Sequence, residues 1–178
     1  IGGCSSITPD KSAGAGSAEA SKIAWSIPAD SSAKTYLLGC VADYGKALLL
    51  LAQLSKTGKK YSTHDLLKDI NSLDIILDKQ MNLAGLYANV HPRQEIRAAA
   101  EQCEQNLVSL ISEISLSRPL YNQIANIDLA TLDQEDHRFV EHMLRDYKRS
   151  GVDKDDATRA RIKSLNEEIN LIGQQFDK

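Results

Sequence analysis

Large apolar residues return every third or fourth position along most of the chain from Leu37 to Phe176, and that period constrains the fold more than any other feature. A 3-4 spacing lines one side of a helix, whereas a half-buried strand needs strict alternation, and no segment alternates with β-branched enrichment. Leu37, Cys40/Val41, Tyr44, Leu48 and Leu51 predict a first helix from near Asp30–Ser32 to about Lys56, with Gly58 as its cap. Ser62-Thr63-His64-Asp65 supplies an N-cap and an acid, opening a second helix over about 63–89 on Leu66, Ile70, Leu73, Leu77 and Met81. Pro92 breaks that pattern and is expected in the first turn of a third helix, whose face is Ile96, Ala99, Ala100, Cys103, Leu107, Leu110, Ile111 and Ile114.

Ser117-Arg118-Pro119 opens a short fourth helix from Leu120 to about Ile127. A capping box at Thr131–Gln134 predicts a fifth, burying Phe139, Val140, Met143, Leu144 and Tyr147 and closing at Ser150-Gly151. A sixth begins at Asp153 or Asp155, with Ile162, Leu165, Ile169, Ile172 and Phe176 at heptad spacing. Short connectors make successive helices antiparallel neighbours, so the expected fold is all-α, a bundle-like body of about six helices. The sixth pattern reaches Lys178 without a Gly, Asn or Pro stop signal, and the chain is read as the front of a longer protein.

Residues 1–24 are expected to form a flexible or extended tether, because their Ser, Ala and Gly content cannot offset chain entropy; the helical body then occupies 25–178. Ile1-Gly2-Gly3-Cys4 resembles the end of a bacterial lipobox, which makes Cys4 a candidate for lipidation. That reading places the protein in a bacterial cell envelope or periplasm, lipid-anchored through Cys4, and in the cytoplasm if Cys4 is not lipidated. The longest apolar run, Ala47–Ala52, falls far short of the ~20 residues a bilayer demands. Three cysteines exclude a disulfide framework; Cys40 and Cys103 fall on apolar faces and are expected as buried free thiols, with a bridge between them as the alternative.

Basic and acidic residues number 21 and 24 in mixed order, so no global field draws a polyanion and no nucleic-acid partner is expected. Arg145, Lys148, Arg149, Arg159, Arg161 and Lys163 cluster without interleaved aromatics, which suits surface pairing better than nucleic-acid binding. His137 and His142 lie five apart rather than the four that aligns two zinc ligands on a helix, and no H-E-x-x-H occurs. His64, His91, His137 and His142 are therefore expected as surface or helix-cap residues. Asp155-Asp156 suits a helix N-terminus, and Glu167-Glu168 lies off the apolar stripe and is expected in solvent. There is no phosphate loop, no G-x-S-x-G elbow and no cysteine beside a general base. No catalytic, cofactor-binding or metal-binding residue is assigned to the chain.

Leu120-Tyr121-Asn122-Gln123-Ile124, the run from Leu132 through Arg145 and Tyr147 to Val152, and the run from Arg159 to Phe176 resemble the N-terminal helical region of the thimet oligopeptidase, neurolysin and oligopeptidase A family. Ser62-Thr63-His64-Asp65-Leu66-Leu67 resembles that family's capped entry to a long helix, and the order from Leu86 through Arg97 to Tyr121 is also similar, so that the likeness covers about residues 30–178. It implies an all-α zinc metallopeptidase whose lobes flank a deep channel open only to short peptides. Zinc would polarise the scissile carbonyl and activate water in the full-length protein, with ligands and general base lying beyond this chain. The segment itself would be inactive and would supply channel wall. Its partner would be the remaining catalytic part of the same protein, with short peptides as the substrate of the whole. The competing expectation is a non-catalytic helical interaction or scaffold module of a bacterial lipoprotein. If a second lobe covers this one, the isolated body should expose an apolar strip along Ile162, Leu165, Ile169 and Phe176.

Overall fold

The structure is a computed structural model that describes residues 32–56 and 61–176. Chain contacts divide it into Ile1–Asp30 and Ser31–Lys178, and every described residue lies in the second unit. That unit is all-α: α1 (Ala33–Leu54), α2 (Thr63–Val90), α3 (Gln94–Ser115), α4 (Arg118–Ala125), α5 (Gln134–Ser150) and α6 (Asp156–Phe176), with a 3-10 turn at Leu129–Thr131. No strand occurs among the described residues.

Local chemistry sets most boundaries. Ser32 Oγ accepts the Thr35 N–H to start α1, and Ser62 Oγ accepts the Asp65 N–H while donating to Asp65 Oδ2 at 2.7 Å to start α2. His91 ends α2, and Pro92 stands before α3 rather than in its first turn, because Arg93 takes the N-cap in extended geometry. Ser117 caps α4 with Pro119 in the first turn. The expected Thr131 cap of α5 is displaced to Asp133, whose carboxylate accepts the Asp136 N–H at 2.8 Å; Thr131 closes the 3-10 turn instead. Gly151 ends α5 with φ 95, where an added Cβ would lie 2.6 Å from Ile162 Cδ1. The expected Gly58 cap lies outside the described residues; α1 ends at Leu54, with the Ser55 N–H bonded to the Leu51 carbonyl at 2.8 Å.

The core is the space shared by α1, α2 and α3. Leu54, Leu73, Ile96, Cys103, Leu107 and Leu110 are each almost wholly removed from water, and α4 and α5 extend the same cluster through Leu120, Ile124 and Val140. Tyr36 stacks on Tyr87 at 5.2 Å, and Asp43 bonds Gln80, so α1 and α2 run antiparallel. The Cys40–Cys103 disulfide and the Ser55–Ser117 hydrogen bond show α1 parallel to α3. The bridge, at a Cα separation of 6.2 Å, replaces the expected free thiols, because Cys40 and Cys103 face one another across the α1–α3 contact. By length and composition α1 is apolar enough to cross a membrane, yet it carries the buried Asp43 and packs on α2 and α3.

Candidate functional site

Helix α6 packs antiparallel along α3 through a seam made almost entirely of polar side chains. Asn166 Nδ2 donates to Ser112 Oγ at 3.2 Å, Ser109 Oγ to Glu167 Oε1 at 2.7 Å, and Gln174 Nε2 to Glu104 Oε2 at 2.9 Å. Gln105 Nε2 donates to Gln174 Oε1 at 2.6 Å, and Gln174 also reaches the Glu101 carbonyl. Asn166, Asn170 and Gln174 repeat at every fourth position, which keeps their amides on one side of the helix. Glu167, expected in solvent, is half-buried here because Ser109 donates to it. A cavity of about 370 Å³ opens where α2 ends beside this seam, lined in part by Asn89, Arg97, Glu101, Glu104, Asn170 and Gln174. Arg97 is already committed, donating from Nη1 to the His91 carbonyl at 2.7 Å and the Pro92 carbonyl at 3.1 Å. The cavity offers hydrogen-bonding groups and no nucleophile.

The α6 strip expected to stand exposed in the isolated body, along Ile162, Leu165, Ile169 and Phe176, faces outward for most of its length. Leu165, Ile169, Ile172 and Phe176 are 37%, 66%, 57% and 89% exposed, and α6 has no buried residue. Ile162 departs from the expected strip, being half-buried with its Cδ1 against Gly151. The start of α6 is pinned by polar contacts: Asp155 accepts the Thr158 N–H at 2.8 Å, Arg159 donates to the Leu116 carbonyl at 2.7 Å and pairs with Asp156, and Arg118 donates to the Val152 and Lys154 carbonyls. Hydrogen bonds from Thr158 hold the Asp155 carboxyl below the usual carboxylate range.

Four of the six clustered basic residues meet nearby carboxylates, Arg159 through Asp156. Arg145 and Arg149 meet Asp146, and Lys163 meets Glu113. His137 contacts Glu141 one turn on, and His91 is a buried cap, stacked on Tyr87 with its Nδ1 accepting the Arg93 N–H. No group of three His, Cys, Asp or Glu able to hold a metal ion occurs among the described residues. Perturbed groups lie elsewhere. Hydrogen bonds from Lys46, Gln80 and Lys79 hold Asp43 at about 2. Desolvation, then the charge of Asp78, pushes Asp74 up to about 6, although the residue as a whole stays exposed. Burial, then Tyr87 and Glu104, raises Tyr36 to about 12, and burial chiefly raises Tyr147. None of these groups lines the cavity.

Sequence reading missed the seam. Its one visible signal is the Asn166/Asn170/Gln174 repeat facing Gln105, Ser109 and Ser112 on α3. Cys4 lies outside the described residues.

Comparison with known proteins gives this geometry a family. A mitochondrial intermediate peptidase of Candida albicans is 28% identical over 115 residues, which is 62% of this chain and 15% of the relative. One from Mycosarcoma maydis is 24% identical over 163 residues, 84% of this chain and 18% of the relative, and one from Yarrowia lipolytica is 28% identical over 134 residues, 71% and 16%. The chain thus spans between 15% and 18% of the length of these relatives. Fungal proteins with mitochondrial names overturn the expected placement in a bacterial envelope or the cytoplasm, which rested on four permissive residues around Cys4. Residues 51–159, from the last turn of α1 to the first of α6, match the family described as neurolysin/thimet oligopeptidase, N-terminal domain, and the chain belongs to that family.

Proposed function

We propose that this chain is the N-terminal helical part of a zinc-dependent oligopeptidase that hydrolyses short peptides, and that it contributes channel wall rather than catalytic groups. The family match over residues 51–159 carries the reading, since it takes in α2 to α5 whole. Relatives named as peptidases support peptide hydrolysis by the complete polypeptide, and their mitochondrial names extend to this protein as part of the same proposal.

The zinc that the family implies does not fit the residues present. The sequence has no H-E-x-x-H, and the described residues bring no three ligand-type side chains together. Ligands and general base would therefore come from the remainder of the polypeptide, which is this segment's partner. A wall needs stiffness, because a deformable channel would admit folded proteins. The α1–α2–α3 core supplies it, with the Cys40–Cys103 bridge and the buried Asp43–Gln80 hydrogen bond at 2.5 Å joining α1 to its neighbours.

In the complete protein, deleting residues 32–176 is expected to weaken discrimination between short peptides and long unfolded chains, read as the ratio of their kcat/KM values. Retained activity with an unchanged ratio would overturn the wall role.

A further inference from the structure

The two sides of α6 contradict ordinary amphipathic packing. Lys163, Asn166, Glu167, Asn170 and Gln174 point at α3, while Leu165, Ile169, Ile172 and Phe176 point roughly 150° away around the axis at about 100° per residue. Burying amides against α3 while wetting two isoleucines, a leucine and a phenylalanine wastes the hydrophobic term, unless something covers the second side. The four apolar residues are spaced 4-3-4, the spacing that accepts one helix laid alongside.

We infer that the Leu165–Ile169–Ile172–Phe176 face is the seat of a helix from the remaining part of the same polypeptide, so that α6 is the joint between this segment and the rest of the enzyme. The inference rests on the proposed reading of the chain as part of a longer peptidase. Relatives that carry more than four-fifths of their length outside the aligned region supply the candidate helix. Size argues against a second copy of the chain. The strip from Leu165 to Phe176 is under two heptads, and a self-standing coiled coil needs about three to four. Four side chains offer on the order of 400–500 Å² on each side, short of the roughly 800 Å² per partner of a specific complex. Within one polypeptide a small face suffices, because much of the translational and rotational loss of association is already met by the covalent link.

The full-length polypeptide tests this through two single substitutions, Ile169→Cys on the strip and Glu168→Cys on the exposed flank, with maleimide labelling of each site followed by mass spectrometry. Position 169 is expected to label at least tenfold more slowly than 168, at every protein concentration. Equal rates would overturn the inference, and so would protection that disappears on dilution, which would assign the face to a second copy. Labelling is independent of turnover. An inactive full-length protein that still protects position 169 would sink the peptidase reading alone, whereas an active one that labels freely would sink the joint alone.

Discussion

Asp43 is the residue on which the α1–α2 contact turns. It is a buried carboxylate receiving Lys46 at 2.6 Å, Lys79 at 3.3 Å and the amide of the buried Gln80 at 2.5 Å. Its pKa, lowered from 3.8 to about 2, means that it stabilises the fold at pH values above 4 and that this contribution is lost as pH falls toward 2. Asp43→Ala is expected to lower unfolding free energy at neutral pH by about 1–3 kcal/mol, since it strands the Gln80 amide, and the deficit should shrink in acid denaturation. Asp74 has the opposite sign. Raised from 3.8 to about 6, it favours the fold below pH 4, and that contribution disappears as pH rises through 6. Asp74→Asn should therefore raise the Tm at pH 7.5 and leave it unchanged at pH 4, with a modest amplitude because the side chain stays partly in water. At Gly151, φ 95 disfavours any Cβ, and Gly151→Ala should cost about 1–2 kcal/mol in urea unfolding. The yielding Ile162 methyl adds little to that figure.

At the level of elements, periodicity placed all six helices within a few residues, because apolar spacing and cap residues are local signals. What stayed illegible depends on neighbours. Cys40 and Cys103 each read as an apolar helix position, but only the parallel packing of α1 on α3 brings their sulfurs together. In α6 the heptad and its exposed strip were visible, but the polar seam on the other side was not, since nothing local says that Asn166, Asn170 and Gln174 will find Ser112, Glu104 and Gln105. Thr131 read as the cap of the fifth helix, but the 3-10 turn at Leu129–Thr131 takes it up and leaves Asp133 to cap α5. The bridge spans 63 residues of sequence, so reduction is expected to destabilise the domain by about 2–4 kcal/mol. Thiol titration should find neither Cys40 nor Cys103 reactive before reduction and both reactive after reduction in denaturant. A native protein with both thiols free would remove the staple and return the pair to ordinary core packing.

For the whole molecule, stability and chemistry are separated. The apolar cluster shared by α1 to α5 accounts for the fold; Leu107→Ala, at a position with no exposure, should cost about 2–5 kcal/mol. The polar cavity beside α6 and the local ion pairs account for the surface, and neither supplies a nucleophile or a metal-ligand set among the described residues. Belonging to the N-terminal domain family of these oligopeptidases was legible in the order of motifs from Ser62 to Phe176. The cellular placement was not, because four residues around Cys4 are too permissive a pattern to locate a protein. The proposed division of labour between this segment and the remainder of the polypeptide is open to a direct test. Its most direct measurement is cleavage of a quenched fluorescent peptide by the full-length protein and by the 178-residue chain, each with added zinc and each with a chelator. Chelator-sensitive hydrolysis by the full-length protein and none by the 178-residue chain alone is the expected result. Zinc-dependent turnover by the 178-residue chain, or a full-length protein inert toward short peptides, would contradict it.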